Sequence, residues 1–145
     1  METPPILEGL VTGLHHVAIA VPSIDAARPL YVEALGLGGG EVEHVPGQKV
    51  NVLVVHAGTQ RIELVEPAAD DSPIAGFLAK RGGGIHHLAW EVRDVAAALE
   101  ALKGRGVELI HAEPQPGAHG TRVAFLHPRA CGGVLMELVE DPGHA

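Results

Sequence analysis

Gly84-Ile85-His86-His87-Leu88-Ala89-Trp90-Glu91-Val92 repeats the plan of Gly13-Leu14-His15-His16-Val17-Ala18-Ile19-Ala20-Val21. After each copy come a helical pattern and three strand-like runs. The last run of each set carries a glutamate among aliphatic residues: Ile62-Glu63-Leu64-Val65 in the first, Leu135-Met136-Glu137-Leu138-Val139 in the second. His87 follows His16 by 71 positions and Glu137 follows Glu63 by 74, so the second copy has gained only three residues between its His and its Glu. Register kept that closely points to duplication of one supersecondary unit, although two copies do not make a solenoid.

Within each opening stretch the residues alternate as a strand requires. Val17, Ile19 and Val21 point one way while His16, Ala18 and Ala20 point the other; Leu88, Trp90 and Val92 oppose His87, Ala89 and Glu91 in the same parity. Branched residues on one face and small ones on the other predict a packed side and an open side, with His16 and His87 on the open one. His15 and His86 have the opposite parity and fall to a supporting or packing role.

The spacing predicts a helix over 26–35 capped by Ser23 or Asp25. Pro29, tolerable only near a helix start, favours Asp25 unless it introduces a kink. Strands are expected near 40–45, 49–56 and 60–66, then a short helix over 74–80 behind Asp70-Asp71-Ser72-Pro73. In the second copy Asp94 caps a helix over 95–103, and strands are expected at 107–112, 121–127 and 133–140. The order β-α-β-β-β, twice, makes the chain α+β: a single domain over 13–141 built from modules at about 13–67 and 85–140, with 1–12 as an exposed N-terminal arm.

At 145 residues the chain can bury a real core, although neither module is large enough to be stable alone. With only 3% aromatic residues, that core must be built of Val, Leu, Ile and Ala. A net charge of −8 argues against a nucleic-acid partner, which would need a basic surface to displace counterions from phosphates. One cysteine, Cys131, permits neither an intrachain disulfide nor a thiolate metal cluster, which fits a cytoplasmic setting. No run reaches the ~18 apolar residues of a membrane span, and the first residues lack the basic-then-apolar pattern of a secretion signal.

A glutamate buried, ionised and unpaired in an apolar strand costs several kcal/mol, so Glu63 and Glu137 need compensation if they face inward. A divalent cation would provide it, with His16 and His87 as neutral nitrogen ligands. The plainer alternative has His16 and His87 as satisfied core histidines and both glutamates pointing outward from edge strands. The repetition of all four in register favours the metal. His44, His56, His111, His119, His127 and His144 show no such symmetry; His119, in a Gly-rich turn, is placed to line a mouth.

The residues resemble the methylmalonyl-CoA epimerase family of the vicinal oxygen chelate superfamily, the group that includes glyoxalase I. The resemblance runs from Leu14 to Glu140. It is most specific at Leu14–Val21, Arg61–Pro67, Ser72–Leu78, Gly84–His87, Gly117–Gly120 and Phe125–Pro128 with Cys131–Leu138. It implies paired βαβββ modules whose curved mixed sheet cups a metal site, with ligands at His16, Glu63, His87 and Glu137. It implies one divalent ion (Co, Mn, Ni or Zn), an acyl-CoA substrate and a homodimer. The expected chemistry is interconversion of (2R)- and (2S)-methylmalonyl-CoA through a metal-stabilised enolate, with Glu137 as one acid/base. Other chemistries of the superfamily, a glyoxalase-type lyase or isomerase or a non-catalytic small-molecule binder, are the alternatives. One position departs: the family's loop Pro-Glu-Gln-Gly or Pro-Glu-His-Gly, whose glutamate is the second acid/base, reads Pro46-Gly47-Gln48-Lys49 here. The partner on the other face is then Glu43, His44 or a water.

Overall fold

A computed structural model describes residues 10–144. The expected arm at 1–12 lies outside the described residues over 1–9, and Val11 and Thr12 already belong to the first strand. The chain divides into two compact units, one of residues 16–87 and the other of residues 10–15 with 88–144.

In the unit of residues 16–87, β1 (Val11–Ala20) leads into α1 (Ile24–Arg28), then β2 (Gly38–Gly39), β3 (Glu43–Val45), β4 (Val50–Ala57), β5 (Gln60–Pro67) and α2 (Pro73–Arg81). The strands run β2-β4-β5-β1, with β3 also on β4. All pairs are antiparallel except β1 with β5, as a helical crossover demands. Ile19, Val21, Leu53, Val55, Ile62 and Leu64 pack with Ile24, Ala27, Tyr31 and Val32, so the helix covers one face of this sheet.

The other unit repeats the plan. β6 (Gly84–Val92) leads into α3 (Val95–Gly104), then β7 (Gln115–Pro116), β8 (Arg122–Leu126) and β9 (Met136–Glu140), in the order β6-β9-β8-β7. β6 and β9 are parallel. Val92, Leu126 and Leu138 pack against Val95, Ala98 and Leu99 of α3, again on the face opposite the histidine.

Three expectations change. The helix cap is Ser23, whose hydroxyl accepts from Ala26 N at 3.2 Å, not Asp25. Pro29 is accommodated because the winding loosens there into a π-helical segment, Pro29–Ala34, ending with Leu35 N donating to Leu30 O. The duplication carried the signal for this cap, since Asp94, the cap of α3, stands 71 positions beyond Ser23.

The strand expected over 40–45 is split into β2 and β3, and the one over 107–112 forms no ladder. Leu109 makes a single bridge to Leu126, and pairing resumes only at β7. Residues 40–42 separate β2 from β3 in one copy, and Pro114 immediately precedes β7 in the other.

The expected open side is not open. His16, Ala18, Ala20, His87 and Ala89 are buried, whereas Val17, Ile19, Leu88 and Trp90 are only half-buried. The face without a helix is therefore shielded from water at these positions.

Candidate active site

Strand register places each glutamate relative to its histidine. In β1 and β5, Ala18 pairs with Glu63; in β6 and β9, Ala89 pairs with Glu137. Each alanine is two residues beyond a histidine, and neighbours in a parallel ladder share a face. Glu63 therefore lies on the face of His16, and Glu137 on the face of His87. Both alanines are fully buried, leaving room above them for the longer side chains. Glu137 itself is buried on β9, where a carboxylate needs compensation.

In the unit of residues 16–87, Nε2 of His16 and Nε2 of His87 face each other at 3.4 Å. That spacing suits two nitrogens each about 2.1 Å from one shared ion. The other nitrogens are held from behind. Nδ1 of His16 is 3.3 Å from Glu63 Oε2, and Nδ1 of His87 is 2.8 Å from Nδ1 of His86. His86 in turn stands edge-on to Phe77 of α2, with ring centroids 5.0 Å apart. A histidine fixed at Nδ1 presents Nε2 in a defined orientation, the arrangement that partners behind a ligand usually provide.

The expected residues are thus arranged unevenly. His16 and His87 converge through Nε2, whereas Glu63 meets His16 at its opposite nitrogen. His15 bonds Asp141 Oδ2 through Nε2 at 2.7 Å, and His86 bonds His87. His119 takes a left-handed backbone, φ 57°, in the turn Ala118–Gly120. Next to it Gly117 has no substitute, since a Cβ would lie 2.5 Å from Thr121 Oγ1 and 2.7 Å from Val123 Cγ1.

Sequence reasoning missed two further carboxylates. Glu66 accepts from Ile24 N at the start of α1 (2.7 Å) and from Asn51 Nδ2 (2.9 Å). Glu140 accepts from Val95 N at the start of α3 (3.0 Å). Glu140 follows Glu66 by 74 positions and Val95 follows Ile24 by 71, the offsets of the Glu and His pairs themselves. Each strand therefore points one glutamate to the site face and, three residues on, another to the N-terminus of its own helix. The repeat offsets were the signal that could have found them.

The loop with the missing glutamate is defined in detail. Pro46–Gln48 form a 3-10 turn closed by Lys49 at φ 55°, and the Lys49 ammonium pairs with Asp71. Gly47 is not at positive φ, and a Cβ there would meet nothing within 4 Å. The positive φ of this turn falls at Lys49.

A helix-clad sheet in each duplicated half, with a His and a Glu of each on its uncovered face, is the arrangement of the superfamily described as glyoxalase/bleomycin resistance protein/dioxygenase, whose pattern matches residues 15–125. Methylmalonyl-CoA epimerase of Bos taurus mitochondria is 45% identical over 126 residues, which are 86% of this chain and 72% of that one. Ethylmalonyl-CoA/methylmalonyl-CoA epimerase of Cereibacter sphaeroides is 44% identical over 131 residues, 89% of this chain and 98% of that one. The crystal structure of methylmalonyl-CoA epimerase from Mycobacterium tuberculosis superposes with a TM-score of 0.89 at 37% identity, covering 97% of this chain and 93% of that one. The chain belongs to the methylmalonyl-CoA epimerase family of that superfamily.

Proposed function

We propose that this protein interconverts (2R)- and (2S)-methylmalonyl-CoA by removing the proton at C2 and returning one to the opposite face. The observation that supports this most is the doubled register, Ala18 with Glu63 and Ala89 with Glu137, in a chain 44–45% identical to named epimerases. C2 lies between a thioester and a carboxylate, so the negative charge formed on deprotonation delocalises onto oxygens. Glu137, buried on β9, takes the C2 proton as a carboxylate or returns one as the acid.

The Nε2 atoms of His16 and His87 suit a divalent metal ion (Co, Mn, Ni or Zn), the Glu137 carboxylate would add an oxygen ligand, and Glu63 would join them by leaving Nδ1 of His16. When bound, the ion would draw electron density from the substrate oxygens and make C2 more acidic. His86 and Glu63 orient the two imidazoles, and the burial of Ala18 two residues beyond His16 keeps that strand face dry. The acyl-CoA substrate, a homodimer and a cytoplasmic setting belong to the same reading. Among the described residues no helix is long and apolar enough to cross a membrane.

The test is proton exchange at C2 in deuterated water, followed by NMR, with inversion followed by chiral resolution of the products. Exchange and inversion of methylmalonyl-CoA by the metal-loaded protein are expected, and ethylmalonyl-CoA measures how tightly the alkyl group is selected. A protein that leaves both inert while acting on a glutathione hemithioacetal would instead be a glyoxalase-type enzyme. Elemental analysis and sedimentation equilibrium check the metal and the dimer.

A further inference from the structure

Inversion requires acid/base groups on both faces of C2, and Gly47 carries no side chain where the family has its second carboxylate. We infer that Glu43 supplies that group in this chain. The inference rests on the epimerase reading above.

The strand register selects Glu43. β3 pairs with β4 so that Glu43 lies opposite Val52; Val52 pairs with Val65 of β5, and Val65 pairs with Ala20 of β1. Directly paired residues share a face, so Glu43, Val52, Val65 and Ala20 form one row across the sheet. The next row along the same face holds Val54, Glu63 and Ala18, and His16 follows one step beyond Ala18. Glu43 is therefore on the face of His16 and Glu63, two strands and one row from Glu63 and three strands and two rows from His16. From Glu63 that is about 10 Å across and about 7 Å along, a separation that leaning side chains can span with a small acyl group between them.

Its surroundings suit an acid/base. Val45, Val50 and Val52 on the same face are buried, and Glu43 is half-buried at their edge, where it can exchange protons with solvent.

The other candidates in this region face away. His44 alternates to the opposite face, where its Nδ1 lies 3.0 Å from Asn51 Oδ1, and Asn51 is held in turn by Glu66. Glu66 is committed to the N-terminus of α1.

The step balances. With Glu137 ionised and Glu43 protonated, the C2–H bond breaks, the proton passes to Glu137, and the electron pair delocalises onto the thioester oxygen. The Glu43 carboxyl then gives its proton to the other face of C2, and the electron pair returns to form the new C–H bond. The enzyme is left with Glu137 protonated and Glu43 ionised, ready for the reverse direction or for resetting through solvent.

The experiment compares wild type, Glu43→Gln and the double variant Glu43→Gln/Gly47→Glu, each metal-loaded. Metal content, melting temperature and calorimetric substrate affinity are measured beside exchange and inversion. Glu43→Gln should keep its metal and its substrate affinity, continue to exchange the C2 hydrogen of one enantiomer, and lose inversion by about 10²-fold or more, the usual worth of a positioned acid/base. The double variant should recover inversion, because a side chain at position 47 meets no obstacle. If Glu43→Gln inverts as fast as wild type, the inference is overturned and the epimerase reading stands. If Glu43→Gln loses metal or substrate affinity in proportion to rate and the double variant recovers nothing, Glu43 has a structural role and the inference is again overturned. A metal-loaded wild type that neither exchanges nor inverts the substrate would overturn the epimerase reading, and the role of Glu43 with it.

Discussion

Glu66→Ala tests whether the glutamates three residues beyond the site carboxylates hold the helices in place. In the native structure the carboxylate accepts from Ile24 N at 2.7 Å and from Asn51 Nδ2 at 2.9 Å, and Ile24 is buried. Truncation leaves the first helical N–H without an acceptor, at a cost of about 0.5–2 kcal/mol. It also removes a negative charge from the positive end of α1, about 0.3–1 kcal/mol, and an acceptor from Asn51, about 1 kcal/mol. The sum is about 3 kcal/mol, which for a chain of this size lowers Tm by roughly 6–12 °C. Glu140→Ala loses the equivalent bond to Val95 N, but its ion pair with Arg122, at 3.6 Å, is half-exposed. Its cost should be about half as large. Urea unfolding of both variants, with Glu66→Gln as the isosteric control that keeps one acceptor oxygen, gives the comparison. A cost below 1 kcal/mol for Glu66→Ala, or a larger one for Glu140→Ala, would refute the reasoning.

Three other outcomes follow from the geometry. His87→Ala should abolish metal retention, whereas His86→Ala should weaken it about 10–100-fold without abolishing it, because His86 only steadies the Nδ1 side of His87; equilibrium dialysis with the metal distinguishes the two, and a reversed order would put the strand register off by one. Glu63→Ala measured the same way separates its two possible positions, since a direct ligand should cost most of the affinity and a carboxylate acting only through His16 Nδ1 about 10–100-fold. The Lys49 ammonium holds the Asp71 carboxyl below its usual range through their hydrogen bond, so this pair stabilises above the ordinary aspartate pKa and its contribution fades as pH falls through the lowered value; the difference in urea midpoint between wild type and Asp71→Asn should be small and flat near neutrality and shrink toward zero in acid.

What could be read from the sequence was whatever depends on strand alternation and on the offsets between the two copies. The side of β1 that carries His16, and the glutamate that meets it, follow from parity, because a strand turns every second residue the same way. The exposure of that face did not follow, since parity says which residues share a side and nothing about what overhangs them. Ala18 and Ala89 look like an open surface in one dimension and are fully buried in three. The misplaced cap at Asp25 has a similar cause. A proline rule written for an α-helix favoured Asp25 over Ser23, and the chain escaped the rule by changing its winding at Pro29.

The same contrast bears on the second acid/base. Aligned along the chain, Gly47 looks like the loss of a catalytic group, since no other residue of that loop is a carboxylate. Across the sheet, the position that matters is a place on the face of His16, and a strand beside the loop can reach it as well as the loop can. Gly47 lies four positions after Glu43 in sequence, yet β3 holds Glu43 on the face of His16 through three ladder pairings while the Pro46–Gln48 turn fixes Gly47 by none. A carboxylate carried on a strand loses less side-chain and backbone freedom when substrate binds than one carried on a turn, so moving the acid/base from position 47 to 43 exchanges adaptability for preorganisation. If Glu43 holds this role, the double variant with its carboxylate back on the turn should recover inversion only in part.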